Sequence, residues 1–266
     1  MAQEDAVLLA QVLAAPEDDA PRHAYGKLLV QRKDPRGDFI ITQLALAQLH
    51  RQQGLGVDRA PLELRARQLL DAHRAEWSAP VAKLTSKASF RRGFIDGVKL
   101  TPAEFVARAE ELFRLAPILH LDLVGHADLE AFFASPHLGR IVSLNCFDQD
   151  LGPEGARLLA ASPHLGALAW LDLGYCGIGE AGLDALMASP HLPRLTWVNL
   201  VNNGFTDPCD QPGGVEGDTI YSFDTPENQA ALEARHGSRR WLHWRPSDNQ
   251  YVRPDPVMFA GVRPTD

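Results

Sequence analysis

The chain has 266 residues, of which 45% are hydrophobic and 23% charged, and its formal net charge is −8 at pH 7. This composition is typical of an ordinary globular protein, and the negative charge argues against a nucleic-acid surface, which needs clustered lysine and arginine. There is no apolar run of the length of a membrane span, no signal-peptide pattern and no disulfide framework among the three cysteines. We therefore expect a cytoplasmic protein that contacts neither nucleic acid nor membrane.

Residues 1–80 are predicted to form an all-helical domain. Apolar spacing indicates a first short helix that ends at Pro16, and Asp18 is placed to cap a second one. After a turn at residues 34–38, a third helix is predicted from Phe39 to Gln52 and a fourth from Leu62 to Trp77.

Residues 81–117 are predicted to bridge this domain to the next and to cap it. The alternation from Phe94 to Leu100 predicts a strand. Thr101, Pro102 and Glu104 are typical of a helix start, with threonine as the cap and glutamate three residues on. The helix that follows is predicted to form part of a capping unit.

Residues 118–205 repeat with a period of 27 residues. The tetrapeptide Ser-Pro-His-Leu begins at Ser135, Ser162 and Ser189. Four apolar columns follow the same step, namely Ile141, Leu168 and Leu195; Leu144, Leu171 and Val198; Cys146, Leu173 and Leu200; and Leu151, Ile178 and Phe205. A fixed period in this range indicates a stacked array, in which each unit buries its apolar face against its neighbours. A shortened copy precedes them at Leu119–Leu123.

Within each unit, alternating residues predict a short strand, and helical spacing follows it. The predicted fold class is therefore α/β, a short solenoid with parallel strands on its concave side and helices on its convex side. Gly155 and Gly182, one period apart, are expected to let each helix lie close to its strand. The column of Gln149, Cys176 and Asn203 is predicted to bond the backbone between units.

Two resemblances to known families follow from these patterns. The stretch Leu168-Ala-Trp-Leu171-Asp-Leu173-Gly-Tyr-Cys176-Gly-Ile178 resembles a leucine-rich repeat of the ribonuclease-inhibitor-like type. The run from Leu9 through AAPEDDAPRHAYGKLLVQRKDPRGDFIITQLALAQ, followed by LRARQLLDAHRAEW, resembles the bacterial repeat-companion domain, which sits ahead of such repeats. The resemblance implies no established reaction and no catalytic residues.

Residues 206–266 depart from the period and are predicted to form a C-terminal cap and an irregular tail. A helix is expected to begin after Asp224 and to end near His236, and Trp241–Trp244 is a candidate last strand. Cys209 lies in a predicted loop and is expected to be an exposed thiol.

No nucleophile elbow, phosphate-binding loop, dinucleotide-binding pattern or zinc-protease helix is present in the sequence. His137, His164 and His191 recur at the repeat spacing, as a metal ladder or as turn residues that bond nearby backbone. We favour the second reading, since metal sites usually mix ligand types around one point. We therefore expect no catalytic residue, no metal and no cofactor.

The outward-facing positions of the strands are the candidate binding surface. Tryptophan and tyrosine are enriched where proteins bind partners with high affinity. A polar column beside them could hold a cation or catalytic carboxylates, but side chains in a row do not converge on one point, so a polar stripe is favoured. The predicted partner-binding residues are Trp170, Trp197, Phe147, Tyr175, Asp172, Asn199, Asn145 and Asp122. The alternative is that the C-terminal segment folds back over the aromatic residues.

These patterns favour a non-catalytic module that binds an unidentified protein through the concave repeat face. Two alternatives remain. The first is an enzyme or accessory subunit whose site lies in the C-terminal segment and uses His236, His243 or Asp248. The second is a structural component of a larger assembly, held through the helical domain.

Overall fold

The computed structural model describes residues 2–51, 59–195, 197–200 and 202–204. Over these residues the protein is α/β, with eight α-helices and a mostly parallel sheet of six strands in the order β1-β2-β3-β4-β5-β6. None of the described helices is long and apolar enough to cross a membrane. The helix, the strand and the exposed thiol predicted within 206–266 lie outside the described residues.

The helices are α1 (Ala2–Ala14), α2 (Asp19–Gln31), α3 (Pro35–Arg51), α4 (Ala60–Ser78), α5 (Pro102–Leu115), α6 (Leu129–Phe133), α7 (Gly152–Ala161) and α8 (Gly179–Ala188). Short 3-10 turns occur at Ala79–Val81 and Pro136–Arg140. The strands are β1 (Lys87–Arg91), β2 (Phe94–Leu100), β3 (His120–Leu123), β4 (Ser143–Asn145), β5 (Trp170–Asp172) and β6 (Trp197–Asn199).

The chain divides into two compact units. The first contains the described residues up to Lys99 together with Glu110–Leu119, and the second contains Leu100–Ala109 and the described residues from His120 onward. The boundaries after Lys99 and Ala109 fall inside the stretch 81–117, which the sequence predicted to be a bridge, and the third boundary follows Leu119.

The first unit begins with the four predicted helices. Asp18 caps α2 as expected, since its carboxylate accepts the backbone N–H of Ala20 at 2.8 Å. The third helix begins at Pro35 instead of Phe39, because the Asp34 carboxylate accepts the N–H of Arg36 at 2.8 Å and so caps an earlier turn. Residues 35–38, which were predicted to belong to a turn, thus form the start of a helix.

An antiparallel hairpin of β1 and β2 completes this unit, and β1 was not predicted. Arg92, in the turn, has a positive φ of 47° and donates from its guanidinium to the carbonyl oxygens of Pro16 and Glu17 at 3.1 and 3.0 Å. Arg22 of α2 donates to the same Pro16 oxygen at 2.9 Å and is fully buried. These bonds tie the hairpin to the turn between α1 and α2.

A buried carboxyl group lies in the same region. Asp96 of β2 is 0% exposed, and one of its carboxylate oxygens lies 3.9 Å from the Nε atom of Arg91. Burial raises the pKa of Asp96 to about 6, and the positive charges of Arg91, Arg22 and Arg92 oppose that shift. Desolvation is the larger effect because the whole carboxyl group is removed from water.

In the second unit, the predicted start of α5 is confirmed as a capping box. The N–H of Glu104 donates to Thr101 Oγ1 at 3.2 Å, and the N–H of Thr101 donates to a Glu104 carboxylate oxygen at 3.0 Å. The side chain of each residue therefore accepts the backbone N–H of the other.

Strands β3 to β6 are parallel, and the repeat period sets their register. Leu121, Leu144, Leu171 and Val198 pair in sequence across the four strands. The last two steps are the predicted 27 residues, and the first is shorter, as the shortened copy requires. The leucines at 121, 144 and 171 are at most 1% exposed, which confirms that this column faces the core.

Gly155 and Gly182 lie at close approaches within their own unit and to the preceding helix. A Cβ atom built on Gly182 would lie 2.8 Å from the Cβ of Ile178 and 2.9 Å from the Cβ of Ala156 in α7. One on Gly155 would lie 2.8 Å from the Cβ of Leu151 and 3.0 Å from Leu129 Cδ1 in α6. A side chain at either position would therefore press on the segment just before its own helix as well as on the neighbouring helix.

Candidate functional site

The outward-facing positions of β3 to β6 carry a row of alternating carboxylates and amides. Asp122, Asn145, Asp172 and Asn199 are paired in register across the sheet. Asn145 Nδ2 donates to Asp122 Oδ1 at 3.0 Å, and Asn199 Nδ2 donates to Asp172 Oδ1 at 2.9 Å. Each aspartate thus has an amide beside it. We call this row, together with Trp170, the strand face.

Asn145 and Asp172, the two middle residues of this row, also form hydrogen bonds with the backbone that follows them. Asn145 Oδ1 accepts the N–H of Phe147 at 3.0 Å, and Asp172 Oδ1 accepts the N–H of Gly174 at 3.1 Å. Asp172 is 4% exposed, whereas Asp122, Asn145 and Asn199 are half-buried. The predicted polar stripe therefore exists as hydrogen-bonded pairs, and its centre at β5 is removed from water.

Trp170 occupies the preceding outward position of β5. It lies between Ser143 and Trp197 in the strand register, and the side chain is 6% exposed. The sequence placed this tryptophan on an open face, but in the structure it is buried. Trp197 lies in β6 as expected, and its side chain is outside the described part of the chain.

An aromatic pair lies in the loops that follow β4 and β5. The ring centroids of Phe147 and Tyr175 are 5.3 Å apart, with the ring planes tilted by 57°. Phe147 is half-buried, while Tyr175 is 42% exposed. Asp148 and Asp150 lie in the same loop as Phe147 and are exposed. We call Phe147, Asp148, Asp150 and Tyr175 the loop edge.

The backbone of these loops repeats along with the sequence. At one turn position the residues of successive units all have positive φ, namely Gly125 at 78°, Asp148 at 60°, Tyr175 at 57° and Asn202 at 53°. Glycine, asparagine and aspartate tolerate this left-handed conformation, whereas a bulky side chain is strained there, by about 1 kcal/mol or more. Tyr175 therefore occupies a position to which its residue type is poorly suited.

The loops are held together by the column that the sequence predicted to be structural. Asn203 is 1% exposed and uses its whole amide group. Its oxygen accepts the N–H groups of Cys176 and Ile178, both at 3.2 Å, and its nitrogen donates to the carbonyl oxygens of Leu173 and Leu200 at 2.8 and 2.9 Å. The loop that carries Tyr175 is thereby fixed from the neighbouring unit.

The two described cysteines are buried and belong to this structural layer. Cys176 Sγ donates to the carbonyl oxygen of Cys146 at 2.8 Å. Burial raises the pKa of Cys176 to about 11 and that of Cys146 well above the usual range. Both groups are therefore protonated thiols at neutral pH, which are poor nucleophiles and poor metal ligands.

The recurring Ser-Pro-His-Leu segment also has a structural role. Ser162 Oγ donates to the carbonyl oxygen of Phe133 at 2.6 Å, and Ser189 Oγ donates to that of Ala160 at 2.5 Å. Each hydroxyl also accepts the N–H of the histidine two residues on, at 3.4 Å for His164 and 3.2 Å for His191. Within the described ranges, no three histidine, cysteine or acidic side chains are grouped so as to hold a metal ion.

The structure brings together six of the eight predicted residues through described side-chain contacts. Asp122 with Asn145, Asp172 with Asn199, and Phe147 with Tyr175 form three pairs. Sequence reasoning did not identify the strained backbone of Tyr175. The sequence did contain a signal for it, because the positions aligned with Tyr175 in the other units hold Gly125, Asp148 and Asn202. These are the residue types that tolerate a positive φ. The alternative catalytic residues His236, His243 and Asp248 lie outside the described residues.

Comparison of the chain with family models, with curated proteins and with solved structures finds no match.

Proposed function

We propose that this protein is a non-catalytic interaction module whose loop edge binds a partner protein, with Tyr175 as the main anchor and Phe147 beside it. The observation that carries the proposal is that Tyr175 is both strained and exposed. Its φ is 57°, and 42% of the residue remains accessible to water. A strained, exposed aromatic side chain is a feature that functional sites commonly contain.

The backbone conformation of Tyr175 is unfavourable for its residue type. A left-handed backbone costs about 1–2 kcal/mol for an ordinary residue. Phe147 packs beside the ring, and aromatic pairs of this kind contribute about 0.5–1.5 kcal/mol. Binding would favour a tyrosine here, because a tyrosine that a partner covers buries a large surface and loses few rotamers.

The surroundings of Tyr175 support a protein partner over a small molecule. The loop edge is an aromatic pair with two exposed carboxylates beside it, so it offers an apolar contact and a charged rim. That combination is typical of protein interfaces, in which aromatic anchors are surrounded by polar residues. The fixed loop also limits the ordering cost of binding, because Asn203 holds its backbone in advance.

A second proposal concerns the type of repeat in the fold. We propose that the β–α units are leucine-rich repeats of the ribonuclease-inhibitor-like type, with a repeat-companion domain before them, in a cytoplasmic protein. The 27-residue strand register and the buried asparagine that serves the loop backbone support this proposal. The strand face would then be the concave side of a short solenoid.

The test is a comparison of three full-length baits in lysate from the source cells. The baits are the parent chain, Tyr175→Asn, and Val106→Ala as a control on the 41%-exposed Val106 of α5. Any protein that the parent and control recover, and that Tyr175→Asn does not, is then purified and titrated by calorimetry. We expect a Kd at least about 30-fold weaker for Tyr175→Asn, the effect of removing a true anchor.

Asparagine is the informative replacement because Asn202 occupies the matching position with a φ of 53°. Tyr175→Asn should leave the free energy of unfolding unchanged or raise it by up to about 1 kcal/mol, since the strain is relieved. Equal Kd values for the parent and Tyr175→Asn would refute the loop edge as the binding site. A loss of stability above about 2 kcal/mol would assign Tyr175 a structural role instead.

A further inference from the structure

We propose that Asn203 is a deamidation site, that the fold protects it from the reaction, and that its conversion to an acid frees the loop that carries Tyr175. The sequence here reads Asn202-Asn203-Gly204, and Asn203 is the only asparagine in the chain that is followed by glycine. A following glycine hinders the reaction least, because it has no Cβ atom beside the attacking backbone nitrogen. The chain therefore has one position at which this chemistry is fast and the reacting side chain also has a structural role.

The reaction needs no other reagent than water. The backbone nitrogen of Gly204 attacks Cγ of Asn203, so that a new N–Cγ bond forms and the Cγ–Nδ2 bond breaks. The side-chain nitrogen leaves as ammonia, together with the proton that the Gly204 nitrogen gives up, and a cyclic imide remains. Water then opens the ring at one of its carbonyl carbons. The product is an aspartate or an isoaspartate, in which the backbone runs through the former side chain, and nothing is oxidised or reduced.

The folded structure opposes the first step of this reaction. Asn203 is 1% exposed, and its amide makes four hydrogen bonds to backbone groups, at 2.8 to 3.2 Å. If the side chain turned towards the nitrogen of Gly204, these bonds would break and buried backbone groups would lose their partners. The reaction therefore proceeds from molecules in which this loop has opened, and its rate follows the population of that open state.

The corresponding positions of the other units do not carry the same chemistry. Gln149 and Cys176 precede Asn203 in this column of the repeat. Gln149 also bonds to the backbone, since its Nε2 donates to the carbonyl oxygen of Phe147 at 2.9 Å. A glutamine has to close a six-membered ring, which is slower, and the residue after Gln149 is Asp150 instead of glycine. Cys176 has no amide group, so deamidation in this column is specific to the unit of Asn203.

The products cannot replace the amide that is lost. An aspartate would place a negative charge in a site that is 1% exposed, which is strongly unfavourable without a partner of opposite charge. It would also lack the N–H groups that now donate to the carbonyl oxygens of Leu173 and Leu200. An isoaspartate adds one atom to the backbone as well. The converted molecule therefore no longer fixes the N–H groups of Cys176 and Ile178, and loss of ammonia makes the change irreversible.

The consequence of deamidation for binding rests on the proposed function of the loop edge. Tyr175 is 42% exposed at a φ of 57°, in a loop whose backbone Asn203 holds from the neighbouring unit. A loop that is no longer fixed has to be ordered when a partner binds, and this lowers the affinity. Each molecule would thus lose affinity for its partner with age, at a rate set by how often the loop opens.

The first measurement is the rate of conversion of Asn203 in the full-length chain, in native buffer and in concentrated urea at the same mildly alkaline pH. Peptide mapping by mass spectrometry follows the acid formed at each asparagine. We expect Asn203 to convert at least about tenfold more slowly in native buffer, since native molecules react only while they are open. In urea, Asn203 should react faster than Asn202, whose next residue is asparagine. Gly204→Ala should slow the reaction several-fold in urea, where the positive φ of this position is no longer imposed.

The second measurement is amide hydrogen exchange, resolved to single residues by NMR. In Asn203→Asp, which reproduces one product, the N–H groups of Cys176 and Ile178 should exchange at least about tenfold faster than in the parent. The N–H of Leu119, which donates to the carbonyl oxygen of Asp96 at 2.8 Å in the first unit, is the control and should not change. Aged parent molecules, separated by ion exchange, supply the same comparison if Asn203→Asp does not fold.

Three results would overturn the proposal. Equal rates for Asn203 in native buffer and in urea would show that the fold gives no protection. Faster conversion of Asn202 than of Asn203 in urea would place the reactive site elsewhere. Unchanged exchange at Cys176 and Ile178 in converted molecules would show that the loop does not depend on the amide. All three are measured without a partner, so failure of Tyr175 as a partner anchor would leave them unaffected.

Discussion

The side-chain oxygen of Asn203 lies 3.2 Å from the backbone nitrogen of Cys176, which is one unit earlier in the chain and is buried with it. The same oxygen accepts the N–H of Ile178, and the amide nitrogen serves two carbonyl oxygens. One side chain therefore satisfies four backbone groups that would otherwise lack partners in the interior. The conformation of the Tyr175 loop depends on this asparagine.

We expect Asn203→Ala to lower the free energy of unfolding by about 3 kcal/mol or more, because it leaves buried N–H and C=O groups unsatisfied. Denaturant unfolding followed by circular dichroism measures the loss. Asn203→Asp keeps the accepting oxygen but places a charge in the interior, so it should also destabilise. Glu130→Ala, at an exposed position of α6, is the control. A loss below about 0.5 kcal/mol for Asn203→Ala would show that water replaces the amide.

Leu171 lies at the centre of the inward column, between Leu144 and Val198, and is 0% exposed. We expect Leu171→Ala to cost about 2–5 kcal/mol, because it removes buried methyl groups and leaves a cavity. Val106→Ala on the surface should have little effect. A midpoint of unfolding equal to that of the parent would contradict the assignment of Leu171 to the core.

Gly182 and Gly166 form a matched pair of substitution sites, since neither has a positive φ. A methyl group at Gly182 would meet Ile178 Cβ at 2.8 Å and Ala156 Cβ at 2.9 Å, whereas at Gly166 nothing lies within 4 Å. Gly182→Ala should therefore destabilise by about 1–3 kcal/mol despite the better helix propensity of alanine. Gly166→Ala should change stability by less than about 0.5 kcal/mol. A stabilising effect of Gly182→Ala would show that Ile178 and Ala156 both move to admit the methyl group.

The buried carboxyl of Asp96 predicts a specific pH dependence. Its pKa rises on folding from 3.8 to about 6, so the folded state holds this proton more tightly than the unfolded state does. The favourable contribution is complete below about pH 4 and is lost as the pH rises through 6. The loss amounts to about 3 kcal/mol, at 1.36 kcal/mol for each pKa unit.

Asp96→Asn removes the titration, so the parent's stability relative to this variant should fall between pH 4 and pH 7. Urea unfolding at each pH measures the difference, and Asp71→Asn, at an exposed site of α4, should show no comparable trend. A difference that rises with pH would mean that Arg91, Arg22 and Arg92 stabilise the carboxylate more than burial destabilises it.

The sequence by itself predicted the elements that depend on local spacing. The 27-residue step assigned Leu144, Leu171 and Val198 to one column, because a unit that cannot bury its apolar residues alone has to align them with those of its neighbours. Thr101 and Glu104 predicted their own capping box, since both bonds form within one helical turn. The structural role of Asn203 followed from its place in the repeat.

Only the tertiary structure decided which polar and aromatic groups leave water. Arg22 and Arg92 are 70 residues apart, and their burial depends on a hairpin that no local pattern indicated. Trp170 was expected on an open face, but its side chain is 6% exposed, which alternation along a strand does not predict. Periodicity reports which face of an element is apolar, whereas burial of the other face depends on residues far away in the chain. The strain at Tyr175 likewise arises because the stacked loops impose one backbone conformation on every unit.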